Sequence, residues 1–242
     1  MKAATLMSFF GSREMDGSVY ELPTGFWGAY LGVVNANIGG EKTDAFMEEK
    51  ITGKIDVSND GSSFVTLGVA RAHHGKDEKD RWYRAENKNF IQVYANPDSS
   101  IVGVEGNTKG VKFEGRYDKK VYEEIEEVKT IEETAVYLTD KSLWTMDAFG
   151  KKVFATWFNV PAGEARTRGL KYEIGGESNK DLLKGKPYTL IFEKQSGVES
   201  PVGIDLRAPF GFVWQESGES VYRFERPNPK AREIVELHLV KK

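Results

Sequence analysis

The chain has 242 residues, of which 34 are Lys or Arg and 37 are Asp or Glu, so its formal net charge is −3. This balance gives no whole-chain argument for nucleic-acid binding, and any basic surface must come from local segregation of charge. The absence of cysteine excludes disulfides, thiolate metal sites and a cysteine nucleophile. No run of about 18 apolar residues occurs, which excludes a membrane-spanning helix and leads us to expect a cytoplasmic protein.

Residues 1–48 combine aromatic residues and glycines, most densely in the run FWGAYLGVVNANIGG. This run predicts one or two strands and a loop. Residues 43–50 (TDAFMEEK) predict a helical turn, with Thr43 or Asp44 as its N-cap. We expect residues 1–48 to form an extension that packs on a first β domain.

Residues 49–124 contain short runs in which apolar and polar residues alternate, the pattern of β-strands. The runs are EKITGKIDV, SFVTLGVARAHH, NFIQVYA and VKFEGRYDKKVYE. Short strands with Gly-marked bends are typical of five-stranded oligonucleotide-binding (OB) barrels. The pattern therefore predicts a mostly-β protein with an OB domain at residues 49–124.

Residues 123–133 (EEIEEVKTIEE) form an acidic run, either a linker or the first strand of a second unit, whose charges predict a solvated face. Residues 134–193 then repeat the order of runs loosely, with LLKGKPYTL standing where KGVKFEG stands in the first segment. A charged loop with Arg166, Arg168 and Lys171 is expected between two strands. The repetition predicts a second OB-like unit at residues 125–242, with a C-terminal extension.

The order and spacing of the runs in residues 49–122 resemble the OB domain of the bacterial and phage-type single-stranded DNA-binding protein family. ITGKIDVSNDG matches the opening strand of the family, FVTLGVARAHHGKDEKDRW its second strand and hairpin, NFIQVYA its third strand, and KGVKFEGRYDKKVYE its signature. The second segment is similar to a more general OB domain of the replication-protein kind. The resemblance implies a protein, encoded by a phage or mobile element, that coats and protects single-stranded DNA without sequence preference in replication, recombination or repair.

Non-specific binding of this kind needs aromatic rings on which bases stack and cations that follow the phosphates. The resemblance implies stacking roles for Trp82, Phe90 and Tyr122, and Tyr94 shares a strand face with Phe90. Trp157 is the candidate ring of the second unit. The candidate cations are Arg71, Arg84, Lys109, Lys112, Arg116, Lys119, Lys120, Arg166 and Arg168. The alternative for each aromatic residue is core packing.

The expected partner is single-stranded DNA, with RNA as the second nucleic acid and replication or recombination proteins as further partners. No membrane partner and no cofactor are expected, and the oligomeric state is left open.

Two other functions, an enzyme and a structural β protein, are alternatives to DNA binding. His73 and His74, with Asp77 and Asp80, suggest a metal or acid–base site, but adjacent strand residues point to opposite faces and no third ligand is evident. The chain lacks a phosphate loop and a nucleophile elbow, so neither an enzyme nor a metal site is expected. The alternative is a structural β protein of a virion, tail or assembly, which would have a similar composition but no basic, aromatic groove.

Overall fold

The structure is a computed structural model that describes residues 19–39, 41–106, 125–175 and 185–242. These residues form fifteen strands, one α-helix and two short 3-10 helices, which confirms the mostly-β fold class. The described helices include none that is both long and apolar enough to cross a membrane.

Seven strands form the larger sheet: β1 (Gly28–Asn37), β4 (Asn87–Ala95), β6 (Val136–Leu138), β7 (Leu143–Ala148), β8 (Lys151–Val160), β10 (Tyr188–Lys194) and β14 (Arg232–Leu237). Their order is β14-β10-β1-β4-β8-β7-β6. β1 and β10 are parallel, and the other neighbours are antiparallel.

Six strands form the second sheet: β2 (Met47–Val57), β3 (Ser63–His73), β5 (Ser99–Glu105), β9 (Ala165–Ile174), β11 (Val202–Arg207) and β13 (Val221–Arg226). Their order is β13-β11-β2-β3-β9-β5, and only β2 and β11 pair in parallel. A further two-stranded sheet consists of β12 (Phe212–Trp214) and β15 (Leu239–Lys241).

One hydrophobic core joins the two large sheets. In β3 every second residue is buried, which is the pattern of a strand with one face on the core. The side chains that meet there come from both sheets and include Leu31, Val65, Leu67, Ile91, Val93, Phe154, Leu170, Phe192 and Ile204, together with Trp214 of β12. Each such side chain contributes about 1.5–3 kcal/mol when it is fully buried, so this core is the main source of stability.

The two open sheets correct the expectation of OB barrels, because the described strands close no barrel. Within residues 49–124, β2 and β3 lie in the smaller sheet beside β11 and β9, whereas β4 lies in the larger sheet between β1 and β8. Strand pairing therefore crosses the expected boundary at residue 124 in both sheets. β1, which belongs to the expected extension 1–48, is an interior strand of the larger sheet.

The acidic run contains α1 (Glu126–Thr134), which is neither a linker nor a strand. Its apolar Ile131 packs against the cluster around Val153 and Ala155 on the larger sheet. The backbone N–H of Asp147 donates to Thr134 Oγ1 at 2.9 Å and ties the end of α1 to β7. The glutamates of α1 remain solvated, as the charge pattern predicts.

Two local expectations had different outcomes. The helical turn expected at residues 43–50 is present only in its first half, as a 3-10 helix at Thr43–Phe46 with Lys42 at the N-cap position and no side-chain cap, whereas Met47 begins β2. The loop expected around Arg166 and Arg168 is instead the strand β9, because Leu170, Tyr172 and Ile174 alternate into the core. The charged residues at the start of β9 made this strand difficult to recognise from the sequence, although its second half has the apolar alternation of a strand.

Candidate nucleic-acid interface

Aromatic side chains gather on the outer face of the larger sheet, which points away from the core. Phe90 and Tyr94 of β4 lie on this face, as their alternation predicts. Trp157 of β8 stands opposite Phe90, with ring centroids 5.4 Å apart. Tyr137 of β6 stands opposite Trp144 of β7, with centroids 5.0 Å apart. We call these five residues the aromatic face.

Four rings of the aromatic face are partly exposed, and the fifth, Trp157, is buried. Ala155 stands between Gln92 and Trp144 in one row of the sheet and is fully buried, because Phe90, Tyr94, Trp144 and Ile131 of α1 pack on its cluster. Tyr94 Oη donates to Gln92 Oε1 at 3.0 Å. Burial raises the pKa of Tyr94, so its hydroxyl is neutral at physiological pH. The face therefore offers flat apolar surfaces beside uncharged polar groups.

Cations are sparse on this face. Lys88 is exposed and shares the outer side of β4 with Phe90. Arg84 is also exposed, in the loop that leads into β4. Arg166 is exposed on β9, where its Nη2 lies 2.8 Å from Glu164 Oε2. Of these three cations, Lys88 alone lies on a strand of the aromatic face, and Arg166 belongs to the smaller sheet and already has a carboxylate partner.

Trp82 is exposed in the loop between β3 and β4, not on the aromatic face. Asp80 Oδ1 accepts a hydrogen bond from the Trp82 backbone N–H at 2.9 Å, which fixes the turn that presents the indole. Lys42 Nζ lies 5.2 Å from the centroid of the indole. The Trp82 ring and the Lys42 ammonium together form a small aromatic and basic surface, separate from the aromatic face, at the loop that precedes β4.

Arg71 and Arg168 are buried, which corrects their expected role as phosphate contacts. Arg71 is 5% exposed, and its Nη1 donates to Asn87 Oδ1 at 2.9 Å. Arg168 is fully buried, and its Nη2 donates to Thr156 Oγ1. Burial lowers the pKa of Arg71, an effect that the nearby Glu49 and Asp44 charges oppose, and it lowers the pKa of Arg168 to about 10. Both side chains make polar contacts in the interior of the protein and are not accessible to a phosphate.

The sequence contained a signal for this burial. Arg71 has the same alternation parity as Val65, Leu67 and Val69, and Arg168 has the parity of Leu170. A cation that continues the apolar side of a strand points into the core. Position along the strand also matters, since Arg166 has the same parity as Arg168 but is exposed at the start of β9.

Arg71 belongs to a polar network at one end of the sandwich that sequence reasoning missed. Glu49 Oε1 accepts a hydrogen bond from Ser200 Oγ at 2.9 Å, and Glu49 Oε2 accepts one from Asn35 Nδ2 at 2.7 Å and lies 3.4 Å from Arg71 Nε. A cavity of about 400 Å³ adjoins this network. Asn35 and Asn87 could have indicated this polar network from the sequence, since asparagine is uncommon within strands.

The histidines and aspartates do not converge. His73 is buried, with Nε2 3.0 Å from the carbonyl oxygen of Ala85, whereas His74 is exposed, with Nε2 3.0 Å from Glu48 Oε2. Asp80 binds the turn at Trp82. The part of the chain that the structure describes has no group of three or more His, Asp or Glu side chains placed to hold a metal ion.

The remaining site residues expected from the sequence lie outside the described residues. They are Lys109, Lys112, Arg116, Lys119, Lys120 and Tyr122. Their roles stay predictions.

No known family model and no curated protein matches this chain. Among solved structures, a similar one is that of a Legionella pneumophila subsp. pneumophila str. Philadelphia 1 protein named a "putative nutrient binding protein". It has 9% sequence identity and a TM-score of 0.45, and the match covers 88% of this chain and 71% of that protein. A likeness at this level carries no argument about function.

Proposed function

We propose that this chain binds single-stranded DNA without sequence preference through the aromatic face, and that it protects the strand in the cytoplasm during replication, recombination or repair. The proposal assigns binding without catalysis, with replication or recombination proteins as further partners. The observation that carries it is the set of four partly exposed rings on the outer face of the larger sheet, where Ile131 of α1 packs on the same cluster. The run NFIQVYA, which resembles the third strand of the single-stranded DNA-binding family, is β4, and it supplies Phe90 and Tyr94 to this face.

Stacking supplies the affinity in this proposal. Each base stacked on an aromatic side chain is worth about 1–3 kcal/mol, and every base has a ring face, so stacking tolerates any sequence. Lys88 lies next to Phe90 on the exposed side of β4 and provides the nearest phosphate contact. Trp82 and Arg84 precede β4 and extend the contact toward the loop.

The salt dependence of binding follows from the number of phosphates neutralised. Each neutralised phosphate adds roughly −0.7 to the slope of log affinity against log salt for a single strand. With few exposed cations near the rings, the described residues predict a shallow slope. A stronger dependence would require further cations, either in the loop before β4, where Lys79 and Arg81 are exposed, or at positions 109–120, which lie outside the described residues.

The proposal is tested by titrating a fluorescently labelled oligo(dT) with the protein and recording anisotropy at low and then at high salt. We expect saturable binding that weakens with salt, and competition by unlabelled oligo(dT) and oligo(dC) to similar extents. Competition by oligo(rU) measures the preference for DNA over RNA. No anisotropy change at low salt would contradict the proposal and favour the structural β protein, for which self-assembly would then be measured.

A further inference from the structure

Lys151, at the start of β8, is a buried cation that the proposed function does not use. It is 1% exposed. Its Nζ donates to the carbonyl oxygen of Tyr20 at 2.7 Å, lies 3.5 Å from the carbonyl oxygen of Phe149, and lies 4.7 Å from the centroid of the Tyr30 ring. Within the described ranges no carboxylate lies within 4 Å of Nζ, although a buried ammonium normally has such a partner.

The nearest negative charge is engaged elsewhere. Glu193 accepts a short hydrogen bond from Tyr30 Oη and a second one, at 2.6 Å, from Arg232 Nε. Burial lowers the pKa of Lys151, and the more distant charges of Glu193 and Glu21 offset part of that effect. The neutral, nucleophilic amine is therefore more populated at Lys151 than at a solvated lysine.

Lys151 also lines a cavity of about 500 Å³ at the end of the larger sheet. Phe149, whose carbonyl oxygen lies 3.5 Å from Nζ, lines the same cavity, as does Glu21, the residue after Tyr20. Most of the remaining lining is apolar and includes Leu22, Pro23, Phe26 and Pro97. The exposed Phe149 has a φ of +52°, an uncommon conformation for a residue with a side chain, in the turn that leads to Lys151.

We propose that Lys151 is a reactive amine that captures a small aldehyde or ketone with an apolar body in this cavity, as an imine. Nζ adds to the carbonyl carbon, the nitrogen gives up its two protons, and the carbonyl oxygen leaves as water while the C=N bond forms. The step consumes no oxidant or reductant. It is separate from DNA binding, since Lys151 is not part of the aromatic face.

The test uses the intact protein with limiting benzaldehyde and sodium cyanoborohydride, which reduces the imine to a stable secondary amine. Peptide mass mapping over time gives the rate at each lysine. Lys152 is the matched internal reference, because it is the next residue of β8 and its ammonium pairs with Asp147. We expect Lys151 to react faster than Lys152 at neutral pH, since the cavity holds the aldehyde beside Lys151 and its lowered pKa leaves more free amine.

Variants separate this site from general surface labelling. Lys151→Met is expected to remove the fast phase, and Lys152→Met to leave it unchanged. If circular dichroism shows that Lys151→Met does not fold, the ratio of the Lys151 rate to the Lys152 rate in the unmodified chain still tests the proposal. A Lys151 rate no greater than that of Lys152, or labelling of Lys151 only in denaturing urea, overturns the proposal and makes Lys151 a closed structural cation.

Discussion

The buried charges Arg71 and Glu49 depend on each other. Replacing Arg71 by Met would leave the Glu49 carboxylate in the interior without its cation, at a cost of about 3–5 kcal/mol in the free energy of unfolding. Urea denaturation measures that loss. The control is Arg207→Met, which removes an exposed pair with Asp56 and should cost no more than about 1 kcal/mol. Equal, small losses in both variants would mean that Glu49 is solvated.

Phe90 is the ring on which the proposed function depends most. Phe90→Ala should weaken oligo(dT) binding by about 1–3 kcal/mol, because it removes one stacking surface. The matched control is Phe210→Ala, since Phe210 is 92% exposed in the turn between β11 and β12 and lies off the aromatic face. Dissociation constants from anisotropy compare the two, with melting curves to show that both variants fold. Unchanged affinity for Phe90→Ala would exclude this face.

Alternation along one strand is a local property, and it correctly predicted that Phe90 and Tyr94 share a face. That Trp157 joins this face could not be predicted, because it depends on the pairing of β4 with β8. Trp157 lies more than 60 positions after its partner Phe90 in the chain. The burial of Arg71 and Arg168 was readable from parity. The polar network around Glu49 was not, because it brings Asn35 and Ser200 together from distant elements.

Parallel pairing of β1 with β10 requires a close backbone approach at Gly28. Its φ is +152°, and an added Cβ would lie 1.9 Å from the carbonyl oxygen of Thr189. Gly28→Ala should therefore cost more than about 4 kcal/mol of unfolding free energy, measured by urea denaturation. Gly203→Ala is the matched control on β11, which takes part in the other parallel pair. Nothing lies within 4 Å of its added Cβ, so we expect a change within about 0.5 kcal/mol. Similar losses in both variants would contradict this close approach.

Most strands were predictable as elements, because their apolar periodicity is local. Their partners were not, since the two parallel pairs join β1 to β10 and β2 to β11 across most of the chain. The helix α1 was missed because its glutamates dominate the run, whereas the apolar contact that fixes it is made by Ile131 with the sheet.

At the scale of the molecule, the shared core predicts one cooperative unfolding transition. Strands from both sides of residue 124 pair in each large sheet, so neither half can lose its structure without exposing the core of the other. Far-ultraviolet circular dichroism and tryptophan fluorescence should give coincident urea curves, with Trp27 and Trp214 reporting on the core. Two resolved transitions would contradict this and would support the division into units 49–124 and 125–242.

The location of bound DNA tests the proposed function most directly. Oligo(dT) containing 5-iododeoxyuridine is bound at low salt and irradiated, and the cross-linked peptides are identified by mass spectrometry. We expect adducts on the rings of the aromatic face, at Phe90, Tyr94, Tyr137 and Trp144. Saturable binding with adducts only elsewhere, or no adducts at all, would contradict it.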